Sequence, residues 1–156
     1  MKQEDQTIKL GGKKLTLVFT TQALQAVKNK YGGLNELAKA MDADESTGEA
    51  TVWLTALLAN QGIEIENILH GGKAEHLTEE GVLRTLLAKS GINLSDAEKV
   101  DAGRAAILCA PGLMIKLKNK AMAAVTSGMV RQLEDADDEE DEVLSEIKNA
   151  EGAAGS

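Results

Sequence analysis

Two histidines, one cysteine, two glycine-lysine runs and one acidic stretch are where this 156-residue chain could do chemistry. His70 and His76 suggest a metal pair, but no cysteine or third histidine lies near them and their spacing fits no common zinc pattern. Surface loop histidines are the simpler reading. Cys109 would need a histidine beside it to act as a nucleophile, and its neighbours Ile107 and Leu108 instead predict a buried structural thiol. Gly11-Gly12-Lys13-Lys14 and Gly71-Gly72-Lys73 look like pieces of phosphate loops, yet neither has the G-x-x-x-x-G-K-S/T spacing. The run from Asp135 to Glu142 lacks the central glycine and closing glutamate of a calcium loop, so a solvated tail explains it. We therefore assign no catalytic, metal or cofactor-binding residue, and the chain reads as a non-enzyme that works by contact.

The elements around these residues carry more information. Ile8 and Leu10 alternate with Lys9, and Leu15, Leu17 and Phe19 alternate with Lys14, Thr16 and Val18, which is the period of a strand. A two-residue turn at Gly11-Gly12 sets Ile8 opposite Leu15 and Leu10 opposite Lys13. It gathers Ile8, Leu10, Leu15, Leu17 and Phe19 on one face. An isolated hairpin is marginal in water, so that face must be covered. The cover starts at Thr20 or Thr21, which can cap a helix carrying Leu24, Val27 and Tyr31 and closed by Gly32-Gly33.

Leu34, Leu37, Ala38 and Met41 follow helical spacing. Ser46-Thr47-Gly48-Glu49 has the form of a capping box ahead of Ala50 to Ala59, which is apolar almost all round and is expected to be the central helix, stopped by Gly62. Residues 63–77 read as a loop with a short ordered piece and a turn at His70 to Lys73. Thr78 opens a helix with Val82, Leu83, Leu86 and Leu87 on one stripe, closed by Gly91. Ser95-Asp96-Ala97-Glu98 predicts a further capped helix carrying Val100, Ile107 and Leu108 up to Pro111. The last helix should run from about Leu113 to Leu133, with Ile115, Met122 and Met129 seven residues apart and Val125 and Leu133 beside them. The fold class is thus α+β and mainly α: an N-terminal hairpin (about 7–20) on a small bundle of helices within one domain, 1–133, and an acidic tail, 134–156, expected to be disordered.

Charge is distributed unevenly. The net charge of -8 is concentrated at the C-terminus, because residues 1–133 hold 16 bases against 15 acids and residues 134–156 hold ten acids against one base. A near-neutral body with three aromatic residues, Phe19, Tyr31 and Trp53, does not suggest a nucleic-acid binder. No apolar run is long enough for a membrane span and no leader opens the chain, so a cytoplasmic protein without membrane contact is expected. Met114, Met122 and Met129 lie among lysines on the last helix. Methionine fills gaps in cores, and it also suits surfaces that fit a partner loosely; both uses are open here.

The order of these features resembles the tail assembly chaperones of long, non-contractile-tailed bacteriophages and related prophages of Gram-positive hosts. The resemblance is carried by Ile8 to Phe19, by Ala23-Leu24 and Tyr31-Gly32, by Leu58-Ala59-Asn60-Gln61-Gly62-Ile63, by Leu77-Thr78-Glu79-Glu80, and by Ala121-Met122 with Gly128 to Glu134 ahead of the acidic tail. It spans about Thr7 to Asp141. It implies a non-virion protein of the host cytoplasm that coats the tape measure protein, keeps it soluble, and gives way to the tail tube protein. It also implies a longer, frameshifted form of the same chain as a companion, and a homo-oligomer. Contact residues on this view are Leu17, Phe19, Leu24, Met114, Met122, Val125, Met129 and Arg131. A structural tail tube or terminator subunit and an acidic nucleic-acid mimic are the alternatives.

Overall fold

The computed structural model describes residues 7–10, 13–43, 48–95 and 97–130. The turn glycines Gly11 and Gly12, the box serine Ser46, Arg131, Leu133 and the acidic tail lie outside the described residues, as does the side chain of Leu10. The chain is mainly helical with an N-terminal antiparallel hairpin, as its sequence pattern predicts. Strands β1 (Thr7–Leu10) and β2 (Lys13–Thr16) pair in the expected register, Ile8 with Leu15 and Leu10 with Lys13. The strand ends at Thr16, earlier than the expected 20. Beyond it Leu17 and Phe19, 0% and 1% exposed, are the deepest large side chains at this end.

Helix α1 (Thr21–Tyr31) begins as read, with Thr20 Oγ1 accepting from Ala23 N at 3.1 Å, and it ends at Gly32 in the left-handed region. Helix α2 (Leu34–Ala43) buries Leu37 and Met41. Helix α3 (Glu49–His70) corrects two expectations. Its N-cap is Gly48, with φ +65° and no side-chain cap bond, so the helix opens two residues later than a serine-led box would place it. It also runs straight through Gly62 to His70.

The reason for Gly62 is steric. A Cβ there would stand 2.2 Å from the Thr16 carbonyl oxygen, so glycine lets the strand exit cross the helix in contact. At the crossing Val18 N donates to Leu58 O at 3.2 Å, and Thr20 Oγ1 donates to Gln61 Oε1 at 2.5 Å. From Ala50 to Ala59 α3 is buried except at Trp53 and Leu57, which are half-buried, and this fits its expected place at the centre.

The stretch read as a loop after Gly62 is therefore helix as far as His70. Gly71 in the left-handed region ends it, at the expected turn. The chain then returns along α3. Asn60 donates to Leu77 O at 2.9 Å and accepts from Leu77 N at 2.6 Å; Asn67 does the same with Ala74 at 3.1 and 3.0 Å. Two asparagines one heptad apart thus hold the backbone as a neighbouring strand would.

Helix α4 (Glu79–Lys89) is capped by Thr78 and buries Val82, Leu83, Leu86 and Leu87, as the spacing predicts. Helix α5 (Ala102–Leu108) starts later than expected. Ser95 O accepts from Glu98 N at 3.0 Å, and the Arg84 guanidinium bonds the Ser95 and Glu98 carbonyls; Asp96 lies outside the described residues. Asp101 is the cap, accepting from Arg104 N at 2.8 Å. Ile107 and Leu108, expected on a buried stripe, are 84% and 36% exposed. Seven residues cannot turn both Ala105 and Ile107 inward, and Ala105 is the one packed.

A sixth helix, α6, covers 111–130 and opens at Pro111, the position where a missing N–H costs least. Its buried stripe is Leu117, Ala121, Ala124, Val125 and Gly128, not the heptad of Ile115, Met122 and Met129. Small residues let α6 approach closely. A Cβ on Gly128 would sit 2.7 Å from Phe19 Cβ and 2.8 Å from Phe19 O. The segment from Thr16 to Phe19 is thus packed against glycine on two helices, α3 and α6.

Candidate interaction surfaces

Among the described residues no three histidine, cysteine, aspartate or glutamate side chains form a metal-ligating group. His70 lies 3.4 Å from Glu66 and His76 2.6 Å from Glu64, all four exposed on or beside the distal half of α3. Cys109 is 9% exposed, with its Sγ 3.5 Å from Ala110 O. Both histidines therefore face glutamates, and the thiol is enclosed.

The contact residues suggested by the resemblance divide by burial. Leu17, Phe19 and Val125 are covered by the chain's own helices, at 0%, 1% and 4% exposure, and in this conformation they offer no surface to a second chain. Leu24, Met114, Met122 and Met129 are half-buried against the core. Arg131 lies outside the described residues. On α6 the heptad of Ile115, Met122 and Met129 flanks the buried stripe, with Ile115 58% exposed. Near its start Met114, Ile115 and Lys118 form a groove of about 210 Å³ with Met41 and Thr51, and Lys118 Nζ is held 2.8 Å from Asp42.

A second feature was not foreseen. Lys9 on β1, Lys14 on β2, Lys89 on α4, and Lys116 and Lys120 on α6 surround a cleft of about 360 Å³ whose apolar lining is Ile8, Leu86, Leu113 and Leu117. Among the described residues no carboxylate lines it. Lys120 Nζ donates to Thr7 O at 2.9 Å. The other four lysines make no ion pair with any carboxylate among the described residues. Partial desolvation pulls the Lys89 pKa below its ordinary value, and Lys120, Lys116 and Lys9 add repulsion in the same direction. Lys9 and Lys14 stand directly opposite each other in the ladder, an arrangement that costs a hairpin stability.

The register already implied that like-charge pair, and it was the one trace of the cleft in the sequence. The remaining lysines come from distant elements and share no spacing. Comparison with known protein families, with curated proteins and with solved structures finds no match to this chain.

Proposed function

We propose that this chain is a non-catalytic phage tail assembly chaperone that binds the tape measure protein in the host cytoplasm, keeps it soluble, and is displaced as tail tube protein assembles. The observation that carries the proposal is the partly open heptad on α6. A seven-residue stripe beside a closed core is the pattern on which another long helix packs, and methionine tolerates a repetitive, imperfectly matched partner. The resemblance in feature order supplies the identity of that partner. The strong helical content counts against a tail tube or terminator subunit, which would be built mostly of strands. A near-neutral body counts against a nucleic-acid mimic, which needs its negative charge on a folded surface.

Co-expression with the cognate tape measure protein tests this. The wild-type chain should keep that protein in the soluble fraction and co-purify with it, while Ile115→Glu, at an exposed position of the heptad off the buried stripe, should weaken the complex with an unchanged far-UV circular dichroism spectrum. A tape measure protein equally soluble with and without the chain would overturn the proposal. The accompanying expectation of self-association, with itself or a longer frameshifted form, is checked by light scattering at micromolar concentration.

A further inference from the structure

The lysine-rimmed cleft is the least compensated feature among the described residues. It places five ammonium groups from β1, β2, α4 and α6 around an aliphatic floor. Such an arrangement selects a ligand with two properties together: several carboxylates to meet the rim, and branched aliphatic side chains to cover the floor. Nucleic acid would meet the rim with phosphates but has no branched aliphatic groups for the floor. Its bases would need an aromatic platform, and Phe19 is buried while Tyr31 and Trp53 pack against each other away from the cleft lining.

The chain carries a segment with both properties. Residues 134–147 hold nine acids and no base, and Val143, Leu144 and Ile147 follow the densest acidic run. We infer that this C-terminal segment docks in the cleft of its own chain, its carboxylates on Lys9, Lys14, Lys89 and Lys116 and its aliphatic residues on the floor. The reach is sufficient. Val130 is about 15 Å beyond Lys120 along α6, and Asp137 follows seven residues later, up to about 23 Å of extended chain. The segment thereby neutralises a like-charged cluster and shields one apolar surface. An acidic, amphipathic partner would have to displace it. This inference rests on the cleft and stands apart from the α6 heptad.

Carbodiimide coupling of the full-length chain, diluted to favour contacts within one molecule, reads the arrangement directly. Amide cross-links should join residues 134–147 to Lys9, Lys14, Lys89 or Lys116 in the monomer band. Their yield should fall about tenfold when Asp137, Asp138, Glu139 and Glu140 become Asn, Asn, Gln and Gln, since several weak pairs multiply. A similar fall is expected in salt of about 1 M, where the screening length is about 3 Å. Lys89→Glu with Lys116→Glu should abolish the cross-links while leaving the helical spectrum intact. Cross-links confined to a dimer band, or spread evenly over Lys28, Lys30 and Lys39 as well, would overturn the inference. So would a single-stranded oligonucleotide that binds the wild-type and tail-neutralised chains equally and is lost in the lysine double variant.

Discussion

Gly62 and Gly128 do opposite work to the usual glycine in a helix. Exposed helix glycines are replaced by alanine with a gain of about 1 kcal/mol, because the backbone loses freedom in the unfolded chain. Here the added methyl meets backbone or core: the Thr16 carbonyl oxygen at 2.2 Å from position 62, and Phe19 Cβ and O at 2.7 and 2.8 Å from position 128. Neither neighbour is a free side-chain end, so the helix must shift. Gly62→Ala and Gly128→Ala should each destabilise the fold by about 1–3 kcal/mol, the usual cost of overpacking, read as an earlier midpoint in urea. The single tryptophan, Trp53, is a suitable reporter, since its ring packs edge-on against Tyr31 at 5.3 Å and would be released on unfolding. A midpoint unchanged or raised in both variants would contradict the described crossing.

Helix caps show why some elements were legible and others not. Thr20 and Thr78 each precede a clean apolar stripe; Thr78 caps as expected, and of the two candidates Thr20 and Thr21 it is Thr20 that caps α1. Ser95 has the right residue three positions on, but Arg84 occupies the carbonyls around it, and Asp101 takes the role six residues later. Asp101→Ala should therefore cost about 1 kcal/mol, whereas Ser95→Ala should stay within about 0.5 kcal/mol of wild type, by the same denaturation assay. The hairpin register could be read from residues because alternation admits one parity around two glycines. Gly62 could not, since a helix stop and a close crossing both call for glycine and differ in what lies across the gap. The return of the chain along α3 escaped for a related reason: asparagine-to-backbone pairs leave no periodic trace. The lysine cleft joins positions as far apart as Lys9 and Lys120, and short-range spacing is silent about such a set.

At the scale of the molecule the cleft leaves an electrostatic signature. Lys89 binds its proton less tightly in the folded chain than in the unfolded one, through desolvation first and then the charges of Lys120, Lys116 and Lys9. A group whose native pKa is lowered imposes its cost while charged, so the cost is present at neutral pH. It is relieved as pH rises through the lowered native value towards the ordinary lysine value of 10.5, because over that window the unfolded chain holds more protons. In the chain whose Asp137, Asp138, Glu139 and Glu140 are neutralised, so that the C-terminal segment no longer offsets the cluster, Lys89→Met should accordingly raise the melting temperature at pH 7, with the difference shrinking by pH 10. A constant offset across that range would place the effect in packing and not in charge. The pinned segment from Thr16 to Phe19 has one more consequence, for the order of manufacture. Phe19 lies against Gly128, about a hundred residues further along the chain, so a nascent chain holds Phe19 incompletely packed until α6 has emerged.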